Sequence, residues 1–549
     1  MKFPNYTHTE VEPKVLEYWQ HNKIVEKLRK KYEKGPKFYF LDGPPYTSGR
    51  FHLAHAWNYS LKDFILRYKR AQGNHVWDRN GFDMHGLPTE HKVIEKFNLQ
   101  TKEEIKKFGV DKFVAECETY CQEMAKIMTK DLQRMGVSFD VSDPYMPIKS
   151  EFMEGEWQLI KKAHEQDLLY FGEKVITWCE FCETALAKHE CEYENRLEDS
   201  IFIKFPVKGK KKEYLIAWTT TPWTIPYNLA IMVNPELDYL KAEISDPTGK
   251  DKSKEVWYLS KALAGAVVQA VAGKKMKIIE EFKGKKLEGL EYVHPLEKEI
   301  SLFSELKKKS KNVHTVIMSE QYVDTSAGTG LVHCAPGCGP EDQEACKPYK
   351  IPAFNNLKEN GFFPDGMGKF SGWRAKVDDA KFIEALKETG CIIAVTDVEH
   401  EYPHCWRCHK PVVFRMTHQW FLKTEAIKEK IIKGNQKVHW VPESANNAYE
   451  SWVKNLRDNS VSRQRFWGTP IPIWTCKKCK EIKVIGSRKE IEENGGKVPE
   501  NLHIPWIDAV TLKCKCGEMM HRCPDIIDVW VDSGTTSWNC LNNDPKLIK

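Results

Sequence analysis

Three groups of residues in this sequence have types and spacings that can do chemistry. Two imidazoles, His52 and His55, stand three apart in GRFHLAH, after the loop-forming run Asp42-Gly43-Pro44-Pro45-Tyr46-Thr47-Ser48-Gly49-Arg50. The apolar run Phe38-Tyr39-Phe40-Leu41 precedes that loop, and roughly helical apolar spacing follows it at Leu53, Ala56, Tyr59, Phe64 and Tyr68. A helix N-terminus behind such a loop offers free N–H groups and a partial positive charge, a setting for phosphate. Imidazoles placed there can donate hydrogen bonds to negative charge as it develops.

Cysteines form the second group. Cys179/Cys182 and Cys405/Cys408 are C-x2-C pairs, as is Cys476/Cys479, while Cys514/Cys516 is the tighter C-x-C. Two such pairs make one four-thiolate tetrahedral zinc site, closed by its ligands and therefore structural. His521 and Cys523 lie near enough in sequence to replace one ligand of the second set, and the remaining nine of the 17 cysteines read as buried thiols. The third group is split between WTTTPWTIPYN, with Thr219, Thr220, Thr221, Thr224 and Asn228, and GTGLVHCAPGCGPED, with His333 and Asp342. A threonine run alone is simply a strand, since Thr favours strands. Hydroxyls, an amide and a carboxylate that converge could instead hold an amino acid esterified to a ribose and position a water. No Ser-His-Asp arrangement accompanies them, so direct attack by water is the chemistry that fits.

The elements that must position these groups can be read coarsely. A length of 549 residues exceeds what one core serves, so two to four domains are expected. Strand, Gly/Pro loop and helix open a doubly wound nucleotide-binding fold, whose ligands sit at the carboxyl ends of the strands. Val76-Trp77 followed by Asn80-Gly81-Phe82-Asp83 is a second strand end for the same crevice. From about residue 200 to 390, short β-rich runs such as Tyr214-Leu215-Ile216-Ala217-Trp218 alternate with Gly and Lys turns, the pattern of a separate, mostly β domain. The mixed α/β pattern returns near 400. The expected organisation is therefore 1–198, a helical extension and the first half of the nucleotide fold with a zinc knuckle; 199–395, an inserted β domain; and 396–549, further knuckles and part of the second half.

Composition is globular, with 41% hydrophobic residues, 29% charged residues and a net charge of +6 that permits nucleic acid without demanding it. There is no signal-peptide or membrane-spanning run, so a cytoplasmic chain with reduced thiols is expected.

On these motifs the sequence resembles the class I aminoacyl-tRNA synthetases. HLAH stands where that family has His-Ile-Gly-His, with Leu53 and Ala54 as departures. Asn80-Gly81-Phe82-Asp83-Met84-His85-Gly86-Leu87-Pro88 resembles the GWDxHGLP segment of the isoleucyl branch, and SVSRQRFWGTPIPIW (460–474) and DVWVDSG (528–534) resemble that branch too. The resemblance implies a Rossmann-like catalytic domain interrupted by an editing domain. It implies ATP with Mg2+ held near Gly43, Gly49, His52 and His55, and isoleucine held by Pro44, Pro45, Asp83 and Trp530, with Asp83 on the α-ammonium. In the insertion it implies the threonines and Asn228 at the ester and ribose end, His333 setting pocket size and Asp342 on the ammonium. An isoleucine pocket rejects valine by one methylene, about 1–3 kcal/mol, so a second, hydrolytic sieve is needed.

The implied partners are tRNA(Ile), isoleucine and ATP, and zinc is the implied metal. The valyl branch is the nearest alternative. The family's second signature, KMSKS, would follow DVWVDSG and is not found before Lys549. The expectation is thus a truncated chain or one piece of a split enzyme, a monomer or joined by a C-terminal partner, which edits mischarged tRNA but does not activate the amino acid alone. Lys308-Lys309-Ser310-Lys311 mimics part of KMSKS inside the insertion and reads as surface charge.

Overall fold

The structure, a computed structural model, describes residues 6–99, 101–250 and 252–542. Two compact units emerge: Met1–Gly172 together with Gln419–Lys549, and Glu173–His418.

The first unit is α/β. Strands Lys37–Tyr39 and His75–Trp77 pair in parallel, joined by the helix Leu53–Ala71. Arg79–Gly81 pairs in parallel with Asp140–Tyr145 across three helices, Leu87–Phe97, Lys102–Phe108 and Val110–Met135. Parallel neighbours require such crossovers. The longest helix earns its place by periodicity: Phe113, Val114, Cys117, Cys121, Ala125, Met128 and Leu132 lie on one buried face. Gly81 is dictated by packing, since a Cβ there would meet the Tyr145 ring at 2.0 Å. Tyr145 in turn donates from its hydroxyl to the Asp42 carbonyl at 2.9 Å, fixing the start of the Gly/Pro loop.

The second unit is built on a nine-stranded mixed sheet. Toward one edge its strands run in the order Glu255–Ser260, Glu213–Thr219, Leu331–Cys334, Ala230–Val233 and Thr315–Met318. A long antiparallel ribbon joins it: Cys191–Pro206 pairs with Ile392–Cys405 from Ile203↔Ile392 out to Cys191↔Cys405. The expected domain edges at 198/199 and 395/396 cut through this ribbon. The compact unit holds the whole ribbon and extends outward to 173 and 418, so the first four cysteines belong to it. Lys308 and Lys309 are the exposed end of its helix Leu302–Lys309. Among the described residues no helix is long and apolar enough to cross a membrane.

Candidate functional site

In the first unit the motif loops are bonded to one another. Thr47 N–H donates to the Asp83 carbonyl at 3.0 Å and Asp83 N–H to the Pro45 carbonyl at 2.9 Å, so the Gly/Pro loop and the Asp83 loop are one layer. Asp42 is buried beneath it and accepts from Tyr59 at 2.8 Å and Lys62 at 2.6 Å, tying the loop to the helix Leu53–Ala71. His52 is the N-cap of that helix and exposed. Its backbone N–H donates to His55 Nδ1 at 3.4 Å, and the two rings lie 4.0 Å apart. Phe51 stacks on His55 at 4.9 Å. Partial burial and the neighbouring His52 and Lys62 lower the His55 pKa, which leaves a neutral ring whose Nε2–H is its donor. A Cβ at Gly43 or Gly49 would meet no atom within 4 Å. Packing within the chain therefore does not require glycine there; glycine leaves the loop backbone open to approach.

Asp83 is buried, and among the described residues its Oδ1 has no hydrogen-bond partner. Burial and the nearby Asp532 push its carboxyl well up, against the lowering hydrogen bond from Tyr46. Such a group gains most from a cationic partner. Behind it runs a chain of bonds. The Asn501 side-chain oxygen accepts the His503 backbone N–H at 2.9 Å and faces His503 Nδ1 at 2.8 Å, so Nδ1 carries the proton and Nε2 accepts from His85 at 2.9 Å. Burial holds His85 neutral, down to about 3, and pushes Asp532 up. His85 Nδ1 therefore accepts the acid proton of Asp532 at 2.7 Å. Burial raises Asp532 and Asp83 alike, and a cation bound at Asp83 is what would favour its ionised form.

The two later motifs dock on this layer. Glu90 pairs with Arg465 and accepts the backbone N–H groups of Phe466 and Trp467 at 3.0 and 2.8 Å. Trp467 Nε1 donates to the Met84 carbonyl at 2.7 Å. Arg463 donates to Asp528 at 2.6 Å, and Asp528 caps the helix Val529–Asn539, whose first turn carries Trp530, 41% exposed. Pro45 is buried and Pro44 partly so.

In the second unit a cavity of about 360 Å³ is lined by Thr219, Thr220, Thr221, Thr224, His333 and Asp342, together with Trp218, Tyr322, Asp324 and Cys338, among others. Strand order explains the gathering: Trp218 pairs with Val332, setting the threonines that end one strand beside His333 on the next. Asp342 Oδ2 accepts the Ala335 N–H at 2.8 Å. Burial raises its pKa to about 7. Asn228 is not in this wall. It is fully buried behind His333, bonded to Tyr292, Ala230 and His333. Sequence reasoning gave no role to Cys338 and did not name Tyr322 or Asp324. Nothing local marks them, because only the fold brings 322–338 against the threonines.

The eight paired cysteines form two tetrads: the sulfurs of Cys179, Cys182, Cys405 and Cys408, and those of Cys476, Cys479, Cys514 and Cys516, each lie within 4.8 Å of one another. Closed sets of four thiols fit zinc in a structural role. His521 pairs across the sheet with Thr475, and Cys523 lies on another bond path, its N–H on the Ile473 carbonyl, so neither joins a tetrad.

Known proteins match along almost the whole chain. Isoleucine–tRNA ligase of Pyrococcus horikoshii is 43% identical over 569 aligned residues, covering 98% of this chain and 52% of that protein. Those of Archaeoglobus fulgidus and Methanocaldococcus jannaschii are each 43% identical, over 98% and 96% of this chain and 51% of theirs. The chain thus spans about half the length of the curated relatives it matches. The profile described as tRNA synthetases class I (I, L, M and V) matches residues 14–546, and the chain belongs to that family.

Proposed function

We propose that this chain carries the amino-acid-activating and proofreading parts of an isoleucine–tRNA ligase. The observation that carries the reading is the backbone pairing of the Gly/Pro loop with the Asp83 loop, which joins the loop leading to the helix Leu53–Ala71 to a buried carboxylate whose Oδ1 has no hydrogen-bond partner among the described residues. The proposed reaction joins the isoleucine carboxylate to the α-phosphate of ATP, displacing pyrophosphate, and then transfers the acyl group to tRNA(Ile). Gly43 and Gly49 leave the backbone open to the nucleotide. His52 and His55 donate to the α-phosphate oxygens as charge builds, with Mg2+ on the remaining phosphates. Asp83 holds the ammonium, and Pro44, Pro45 and Trp530 bound the side chain. The second unit hydrolyses valyl-tRNA(Ile), with Asp342 on the ammonium and Thr219, Thr220 and Thr221 at the ester. Zinc on the two tetrads holds their loops. The isoleucine ligases among the relatives favour isoleucine over valine as substrate.

Isoleucine-dependent exchange of pyrophosphate into ATP by the whole protein tests this. His52→Ala is expected to slow exchange by about 10²-fold or more, the usual loss of one transition-state donor, with the Tm unchanged because His52 is exposed. An unchanged rate returns HLAH to a structural part. In the same assay Asp83→Asn weakens isoleucine binding by about 1.5–3 kcal/mol, the worth of a charge-assisted bond, and leaves the KM for ATP as it was. A shift in ATP affinity alone gives Asp83 another task.

A further inference from the structure

Asn228 does not fit the part that the resemblance implies for it. The family role sets Asn228 at the ester and ribose, yet its side chain is fully buried and faces protein groups on all sides. The Ala230 carbonyl, 2.8 Å from Asn228 Nδ2, can only accept, so the amide nitrogen must face it. That orientation leaves Oδ1 to accept the Tyr292 hydroxyl at 2.6 Å and turns the second amide N–H toward His333 Nδ1 at 2.8 Å. His333 Nδ1 is thereby an acceptor, and the neutral ring carries its proton on Nε2, 2.9 Å from Thr224 Oγ1. Thr224 sends its own proton to the Thr221 carbonyl at 2.7 Å, so its oxygen is free to accept from His333. The Thr221 hydroxyl stands 3.2 Å from both Thr224 Oγ1 and Thr219 Oγ1, and Thr221 N–H donates to Thr219 Oγ1 at 3.1 Å. One ordered run of bonds therefore links Tyr292, outside the pocket, to the hydroxyls in its wall.

We propose that Asn228 and Tyr292 are positioning residues for ester hydrolysis in this pocket, acting through His333, which they hold as the Nε2–H tautomer, a fixed donor that orients the Thr224 and Thr221 hydroxyls. The proposal rests on the proofreading reading of the second unit. It makes His333 unable to take a proton from water, since Nε2 already carries one and Nδ1 is engaged by Asn228. Water is oriented by the threonines and by the substrate's own ammonium on Asp342. The titratable groups around the imidazole are Asp342 and Cys338 in the pocket wall, Cys334 beside it in the chain, and His294 and His314 packed behind Tyr292.

The test combines kinetics with 15N spectra of histidine side chains in the full chain, using His333→Gln to identify the His333 signals. Wild-type protein is expected to show His333 with an acceptor-type Nδ1 and a protonated Nε2. In Asn228→Asp the buried oxygens facing Nδ1 draw a proton onto it, so the tautomer reverses or the ring becomes charged. Valine release from preformed valyl-tRNA(Ile) then drops about tenfold or more in kcat, as misplaced groups do, with KM within about twofold. Tyr292→Phe, which changes no charge, shifts both readouts the same way by less, and it keeps the test open should Asn228→Asp not fold. A wild-type Nδ1–H signal overturns the proposal. So does an Asn228→Asp protein that loses hydrolysis while His333 keeps its tautomer, because Asn228 would then act on the ester directly. Failure of the proofreading reading is told apart by wild-type protein that releases no valine, since the imidazole spectrum needs no substrate.

Discussion

Asp342→Ala abolishes the release of valine from preformed valyl-tRNA carrying the isoleucine anticodon. Asp342 lies in the first turn of the helix Pro340–Cys346, and Gly339 before it leaves room for the carboxylate to fold back, since a Cβ there would come within 3.2 Å of Asp342 Cγ. One carboxylate oxygen is held by the Ala335 N–H, which aims the group into the pocket that the threonines share. An ammonium on this carboxylate contributes about 1.5–3 kcal/mol. Losing it also frees the ester to drift from the hydroxyls, and misplacement of a bound substrate costs on the order of 10²-fold. The two effects together put the variant near the spontaneous rate. A pH signature accompanies the loss. Burial raises the Asp342 pKa to about 7, so the carboxylate that holds the substrate is lost as pH falls below that value and is complete above it. Wild-type hydrolysis should rise through pH 7 more steeply than the uncatalysed ester reaction does, and Asp342→Ala should follow the uncatalysed slope. Equal release by wild type and variant means that this pocket works through other residues or does not hydrolyse at all.

What was legible in the sequence follows how local each signal is. His52 and His55 are one turn apart, so strand, loop and helix cues around them suffice to give their setting. The cysteine pairs are equally local, and the expected partnering of the four pairs is the one that the two tetrads show. Asp83 could be singled out by its motif, but its isolation could not. Asp532 behind it is raised by burial and is linked through His85 to His503, residues more than 400 apart in sequence. The pocket wall shows the limit most clearly. Threonines 219–221 and His333 are adjacent because strand Leu331–Cys334 inserts between Glu213–Thr219 and Ala230–Val233, against chain order. The same insertion puts Asn228 behind the imidazole instead of in the cavity, which no spacing argument reveals. The compact unit reaches past the expected edges for a related reason: a ribbon pairing residues near 200 with residues near 395 is a long-range contact, and a composition shift marks only where the broad sheet begins.

The whole protein is expected to hold about two zinc ions per chain as purified, and removing them should unfold the loops they close. The backbone around each tetrad is compatible with a metal. The residue after each pair, Glu183, His409, Lys480 and Gly517, has a positive φ of 50°, 55°, 63° and 89°. That turn lets backbone N–H groups point back at sulfur, as Cys182 N–H does to Cys179 Sγ at 3.3 Å. Three of the four turns use residues other than glycine, a conformation that costs free energy and is retained only where something offsets it. Four thiolates around zinc do so, because structural zinc contributes an apparent 10–16 kcal/mol or so, comparable to the entire stability of a typical domain. Cys179 and Cys405 are fully buried and close the end of the ribbon where Cys191 pairs with Cys405. Cys405→Ser should therefore reduce the zinc content from two to one and lower the first thermal transition by many degrees, while Cys476→Ser removes the other ion. Chelation of both should leave a chain whose ribbon end and knuckles are open to protease, with cleavage near 179–182 and 405–409 detectable by mass spectrometry. Elemental analysis showing no zinc in freshly purified protein, or an unchanged zinc count in Cys405→Ser, would contradict this reading of the tetrads. The thiols would then have to satisfy one another by S–H contacts near 3.5 Å, such as Cys179 to Cys408. Such contacts are too weak to offset three strained turns.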